Sequence, residues 1–383
     1  MPAPAPLAPH DAAGGMLATV LPSVATSIGI DRMPGTPVSP LPPARRAVVV
    51  LVDGLGHELL RSRAGHAPFL RSQLPAARRL AAGFPSTTAT SMGSFGTGRS
   101  SGEHGLLGYE VLIPGEDRLL NELSWEDGPV PETWQVQPTV FEQAERSGVV
   151  VTRIGPGFFD GSGLTRAALR GGRFVAADSL AGRVDAALEA LRRDARALVY
   201  VYWGDLDKVG HVHGCGSWEW GEELTAIDGE LARLARSVPS DTAVHITADH
   251  GMIDAPHALR IDVAHDPGLA RGIRHVGGEF RAPQLYCEAG AVDDVRSAWE
   301  STLGDRAWLR SRDEAIDAGW FGAVADRNRP RIGDLVVAMR ETFAVVDSRT
   351  ARPQLLALHG LHGSLTEAEV AIPWFAFAAL DST

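Results

Sequence analysis

Five side chains that follow three apolar runs are of the types that hold metal ions. Asp53 closes "RAVVVLVDG", Asp207 and His211 follow "ALVYVYWGDLDKVGH", and Asp249 and His250 follow "TAVHITADHGM". Carboxylates and imidazoles without thiolates suit zinc, and also manganese or iron. Five such donors are too many for one tetrahedral site, so the set predicts two divalent ions. Two ions a few ångströms apart clamp the attacking and leaving oxygens of a phosphoryl transfer. A sixth donor is sought in "LHGSL", where His362 sits in a loop flanked by Gly360 and Gly363.

The stretch "FPSTTATSMGSFGTG", Phe84 to Gly98, supplies a matching nucleophile. A Ser or Thr hydroxyl attacks poorly unless its proton is removed, and both a metal ion and a helix N-terminus favour the alkoxide. Backbone N–H groups at such a helix start also face a phosphate. Pro85 fixes the entry, and Ala89, Ser91, Gly93 and Ser94 allow close packing. The plain alternative is a capped helix start with no chemistry. His213 reads as a supporting or exposed residue. His57, His104 and Cys215 are set aside as ligands. Gly54 and Gly56 do not make a dinucleotide loop, because Leu59 stands where its third glycine is needed.

The donors must be carried by a scaffold. Continuous apolar runs are typical of parallel strands buried on both faces. Between them "SLAGRVDAALEALRRDA" and "WEWGEELTAIDGELARLARSV" have helical spacing, the first behind a Ser cap. Alternating strands and helices predict a doubly wound α/β fold, a mostly parallel sheet with helices on both faces. Ligands in such folds sit beyond the carboxyl ends of the strands, where all five donors stand. Residues 1–44 read as tail and linker, Pro/Ala-rich to about residue 15, with a short helix in "MLATVLPSVATSIGI". Residues 45–254 and 340–383 form the catalytic core, and 255–339 an α+β insertion that caps the site or packs at the sheet edge. The loop 159–172 reads as a surface loop, with phosphate contact by Arg166 or Arg170 as the alternative.

Composition narrows the partners. The 383 residues carry a net charge of −11 and two cysteines, Cys215 and Cys287. An acidic chain does not favour a nucleic acid duplex, yet it can take a small phosphate ester such as a nucleotide where metal ions supply positive charge. Two free thiols are expected. No apolar run approaches the ~18 residues of a membrane span, so no membrane partner is expected. The N-terminus has no charged region before its apolar stretch, and a cytoplasmic location is the expectation.

Taken jointly, the motifs resemble the alkaline phosphatase superfamily, and within it the nucleotide pyrophosphatase/phosphodiesterase branch. "VVLVDGLG" is similar to the branch's first metal motif, and "FPSTTATSMGSFGTG" to its nucleophile motif. On that spacing Thr88 matches the nucleophile, with Thr87 as the fallback. "DKVGHVHG" gives Asp207 and His211, "TADHGM" gives Asp249 and His250, and "LHGSL" gives His362. The resemblance implies one zinc held by Asp53, Asp249, His250 and the Thr88 oxygen, and a second held by Asp207, His211 and His362. It implies a covalent phospho-threonine intermediate that water then hydrolyses. One departure stands out. An Asn about twenty residues past the nucleophile donates to a phosphate oxygen in the branch's better-known members, and here Tyr109 occupies that place as the expected substrate contact. The implied activity is hydrolysis of phosphodiester or nucleotide pyrophosphate bonds. A phosphomonoesterase or phosphonate hydrolase is the alternative within the superfamily, and a non-catalytic metal-stabilised binding protein the alternative outside it.

Overall fold

The computed structural model describes residues 15–31, 33–34 and 41–380. Its centre is a seven-stranded sheet of β1 (Arg46–Val52), β2 (Arg78–Ala81), β3 (Val150–Gly155), β4 (Arg173–Ala176), β5 (Ala197–Trp203), β6 (Thr242–Thr247) and β11 (Ala371–Ala378), in the order β2-β11-β6-β1-β5-β3-β4. The run from β6 to β4 is parallel, and β11 is antiparallel to both its neighbours. β1 is the central strand, and Ala47 to Val52 are buried on both sides of the pleat. That double burial is why its sequence is continuously apolar rather than alternating. The expected doubly wound, mostly parallel α/β fold is the observed one.

The helices that matter to the site are α2 (Thr88–Thr97), α3 (Leu180–Arg193), α4 (Asp205–His213) and α5 (Trp218–Ser237). α3 buries Leu180, Val184, Ala187, Leu188 and Leu191 along one stripe, and the Ser179 hydroxyl caps its start. α1 (Val20–Ser27) belongs to the core: Val20, Leu21 and Val24 are fully buried, and it packs near α2. The short helix expected within the stretch 1–44 is therefore present, and it is buried nearly all round between Leu17 and Ile30. The Pro/Ala-rich residues 1–14, and residues 35–40 of the linker, lie outside the described residues.

A second lobe follows β6. β7 (Ile273–Glu279), β8 (Ala282–Cys287), β9 (Ala307–Ser311) and β10 (Leu335–Met339) form an antiparallel sheet in the order β7-β8-β10-β9. It has its own apolar cluster around Leu285, Trp299 and Val337. A parallel pairing of Arg260–Asp262 with Ala344–Val346 joins its two ends, so the lobe's pairing extends past residue 339.

Cys215 and Cys287 are both free and buried. Among the described residues no helix is long and apolar enough to cross a membrane.

Candidate active site

The carboxyl ends of three neighbouring strands deliver the donors. β5, β1 and β6 lie side by side, with Val49 opposite Tyr200 on one flank and His245 on the other. Asp53 therefore follows β1, Asp249 and His250 follow β6, and Asp207 and His211 lie one helical turn apart on α4 after β5. Close backbone approach brings the loops together. A Cβ on Gly251 would lie 2.0 Å from the Ala368 carbonyl oxygen, so only glycine fits after the Asp-His pair.

The side chains converge. His250 Nε2 lies 3.4 Å from Asp53 Oδ1, 3.3 Å from Asp249 Oδ2 and 3.3 Å from Thr88 Oγ1. His211 Nε2 lies 3.2 Å from Asp207 Oδ2 and 3.3 Å from His362 Nε2. Neighbouring ligands of one tetrahedral zinc stand about 3.3 Å apart, given zinc–ligand bonds of about 2.0–2.1 Å. Two groups have donor atoms close enough to share an ion: Asp53, Asp249 and His250, and Asp207, His250 and His362. His250 lies between them, and His211 adjoins the second.

The chemistry of these atoms fits cations. Asp53 Oδ1, Asp207 Oδ1 and Asp249 Oδ2 are buried with no hydrogen-bond partner, while the other oxygens of Asp53 and Asp249 are engaged. Asp53 Oδ2 accepts from the Tyr202 hydroxyl, and Asp249 Oδ1 accepts from Gly54 N and His250 N. Each histidine turns Nδ1 to a backbone carbonyl: His211 to Gly360 at 2.7 Å, His250 to Gly251 at 3.0 Å and His362 to Ser86 at 2.9 Å. Those bonds fix the tautomer that leaves Nε2 bare for a metal. Burial, then repulsion from Asp249, raises the Asp53 pKa well above the usual carboxylate range. Burial, followed by the nearby His250, lowers that of His362. Positive ions would reverse the first and exploit the second.

Thr88 is the first residue of α2, and Thr87 before it is the helix cap. Of the two, Thr88 has its hydroxyl beside His250, whereas the Thr87 hydroxyl lies beside Glu279. The Thr87 side chain makes no capping bond, so it does not occupy the N–H groups of the first turn.

A cavity of about 490 Å³ opens over these groups. Thr88, Asp207, His211 and His362 line it, with Tyr109 and Asn121 on one side and Glu279 and Phe280 from the second lobe. Tyr109 is therefore at the cavity, with its hydroxyl hydrogen-bonded to the Asn121 side chain. Arg166 and Arg170 do not line it. Arg166 pairs with Glu132 at 2.8 Å, and Arg170 is spent on the carbonyls of Gln135, Ala167 and Gln137. His213 is half exposed and faces Glu219 at 3.7 Å. His104 is buried against Ser94, and burial pushes its pKa down to about 3.

The sequence model of the type I phosphodiesterase / nucleotide pyrophosphatase family matches residues 47–365. The chain belongs to that family. It is a phosphoester hydrolase of the metal-dependent alkaline phosphatase superfamily. No match was found among curated proteins. Among solved structures it is similar to the murine ectonucleotide pyrophosphatase / phosphodiesterase 5, at 16% identity and a TM-score of 0.70, over 86% of this chain and 87% of that one. An inactive threonine-to-alanine variant of that murine protein has been solved with AMP, and it aligns at 16% identity and a TM-score of 0.69, over 87% of each chain. Phosphonoacetate hydrolase from Sinorhizobium meliloti, in complex with phosphonoacetate, aligns at 20% identity and a TM-score of 0.66, over 90% of this chain and 93% of that one.

A buried ion pair locks the His362 loop of this family member to its second lobe. Arg281 and Glu369 are fully buried, and Arg281 Nη2 reaches Glu369 Oε2 at 2.7 Å. Glu369 Oε1 also accepts from Ser364 N at 3.0 Å, two residues after His362. Arg281→Ala strands a buried carboxylate, and a loss of about 3–5 kcal/mol of unfolding free energy is expected in urea titrations.

Proposed function

We propose that this protein hydrolyses phosphodiester or nucleotide pyrophosphate bonds at a site holding two divalent ions, zinc being the best fit, through a phospho-Thr88 intermediate. One observation carries the reading: three partnerless carboxylate oxygens and three imidazole Nε2 atoms cluster at one edge of the sheet, with the Thr88 hydroxyl 3.3 Å from His250 Nε2. Asp53, Asp249, His250 and Thr88 would hold one ion, and Asp207, His211 and His362 the other. When bound, the ions supply positive charge to the Thr88 alkoxide and to the departing oxygen. Thr88 displaces the ester alcohol from phosphorus, and water then displaces Thr88. The first N–H groups of α2 face the phosphoryl oxygens throughout. The AMP bound by the murine relative's inactive threonine variant supports a nucleotide substrate and a threonine nucleophile.

The test is turnover by zinc-loaded protein of bis-p-nitrophenyl phosphate, p-nitrophenyl phosphate and phosphonoacetate. A kcat/KM for the diester at least about tenfold above the monoester, roughly 1.4 kcal/mol of transition-state preference, is expected. Preference for the monoester would point to a phosphomonoesterase, and release of phosphate from phosphonoacetate alone to a phosphonate hydrolase. No turnover of any by metal-loaded protein would point to a binding role.

A further inference from the structure

Glu279 ends β7 and enters the cavity that holds Thr88. Two glycines bring it there. Gly277 lies so close to the neighbouring backbone that a Cβ would stand 2.6 Å from the Glu110 carbonyl oxygen, and Gly278 has φ +75°. Its side chain is then held from three sides. Oε1 accepts from Tyr109 N at 2.6 Å, the Thr87 hydroxyl lies beside it, and its Cβ is 3.1 Å from where a Gly363 Cβ would be. Those contacts belong to the residue before the nucleophile, the residue in the place of the family's Asn, and the residue after His362. Oε2 has no partner although it is buried. A polar atom left in that state costs stability unless something else satisfies it.

We propose that Glu279 touches the substrate and donates a hydrogen bond from its free carboxyl oxygen to a phosphoryl oxygen, filling the role that Asn has in the branch. The proposal rests on the phosphoester reading of the site. Burial pushes the Glu279 pKa up to about 8, which favours the protonated carboxyl that can give a hydrogen bond. A phosphoryl group beside it adds negative charge and holds the proton in place. The Tyr109 N–H goes to Glu279, and its phenol oxygen is hydrogen-bonded to the Asn121 side chain. A glutamine fits the same demand, since its carbonyl can accept from Tyr109 N while its NH₂ stands at the Oε2 position.

The experiment compares wild type, Glu279→Gln and Glu279→Ala as zinc-loaded full chains, with melting temperature and zinc content recorded. Glu279→Ala is expected to lower kcat/KM for bis-p-nitrophenyl phosphate by about 10²-fold with zinc content unchanged, the cost of one donor to a developing oxyanion. Glu279→Gln is expected to stay within about fivefold of wild type. If Glu279→Ala does not fold, Glu279→Met fills the same volume without a donor and replaces it. Wild-type activity in the variant lacking a donor overturns the proposal, and so does a loss in Glu279→Gln as large as in Glu279→Ala. Orthovanadate binding, followed by calorimetry, separates the two readings. If zinc-loaded wild type hydrolyses nothing, the hydrolase reading has failed. Weaker vanadate binding in Glu279→Ala but not in Glu279→Gln still supports the oxygen contact, and equal binding in all three overturns it.

Discussion

Thr88→Ala is expected to abolish ester hydrolysis, by at least about 10³-fold in kcat, while the protein keeps its fold and its metal. The size follows from the role: without the hydroxyl no covalent intermediate forms, and what remains comes from binding and charge alone. Retention of metal follows from the geometry. Asp53, Asp249 and His250 still present three donors within 4.8 Å of one another. Helix α2 should tolerate the change, because Thr88 is its first turn rather than its cap. Thr88→Ser keeps the hydroxyl and is expected to retain activity well above the alanine variant. Thr87→Ala is the informative control, since its hydroxyl lies beside Glu279 rather than His250. Trapping labelled phosphate on wild type with a nucleotide substrate, and its absence in Thr88→Ala, would locate the intermediate. Abolished turnover in Thr87→Ala with Thr88→Ala active would reassign the nucleophile. Loss of zinc in Thr88→Ala would mean that the threonine oxygen holds the ion more than it attacks.

The candidate metal donors were legible because they stand where buried strands end. A run such as "AVVVLV" has few readings other than a central parallel strand, and the residue after it emerges at the ligand edge of the sheet. One Asp after one strand would say little, but three strands delivering Asp53, Asp207 and the Asp249–His250 pair to one edge agree. Asp207 and His211 added the helical spacing of four. His362 between its glycines was an even choice between donor and surface histidine until the family's motif was added, because nothing local says that the loop at 362 returns to the edge of β6.

Other parts of the site were silent in the sequence for physical reasons. Tyr202 is one residue in an apolar strand, and its hydroxyl becomes a partner of Asp53 only through the β1–β5 register. Glu279 looks like any surface glutamate at a strand end. Only tertiary packing reveals that two glycines carry it beneath Tyr109, and the "VGGEF" run hinted at no more than a tight backbone. Arg166 and Arg170 show the converse, as a basic, glycine-rich loop offers phosphate contact as an alternative until its charges are seen spent on Glu132 and on carbonyls, as a surface loop's would be. Composition of a loop reports what it could bind, while its partners decide what it does.

Stripping the metal is expected to lower the melting temperature by on the order of 10 °C at pH 8, with a smaller loss at pH 5.5. The first part is linkage: an ion bound to the folded state alone at about a thousand times its dissociation constant adds roughly 4 kcal/mol. The pH dependence comes from the carboxylates left behind. Burial, then mutual repulsion with Asp249, raises the folded pKa of Asp53 well above the usual range, and burial also raises that of Asp249. Between the unfolded and folded values the folded apo-protein holds more protons than the unfolded chain, so its stability falls as pH rises through that interval. Asp207 has the opposite sign. Its burial is outweighed by His211, His362 and His250, its folded pKa is depressed, and its contribution disappears only in acid. Against the upward slope that the buried His104, His245 and His362, with lowered pKa, contribute below about pH 6.5, the two raised carboxylates contribute a downward slope above about pH 4. Zinc-loaded protein should lack that slope, because cations in place of protons neutralise the same oxygens. Thermal melts across pH 5.5–8, with and without chelator, measure both effects. Identical melting curves for chelated and zinc-loaded protein at pH 8 would mean that these three buried carboxylates do not need an ion, and the two-metal reading would fall with them.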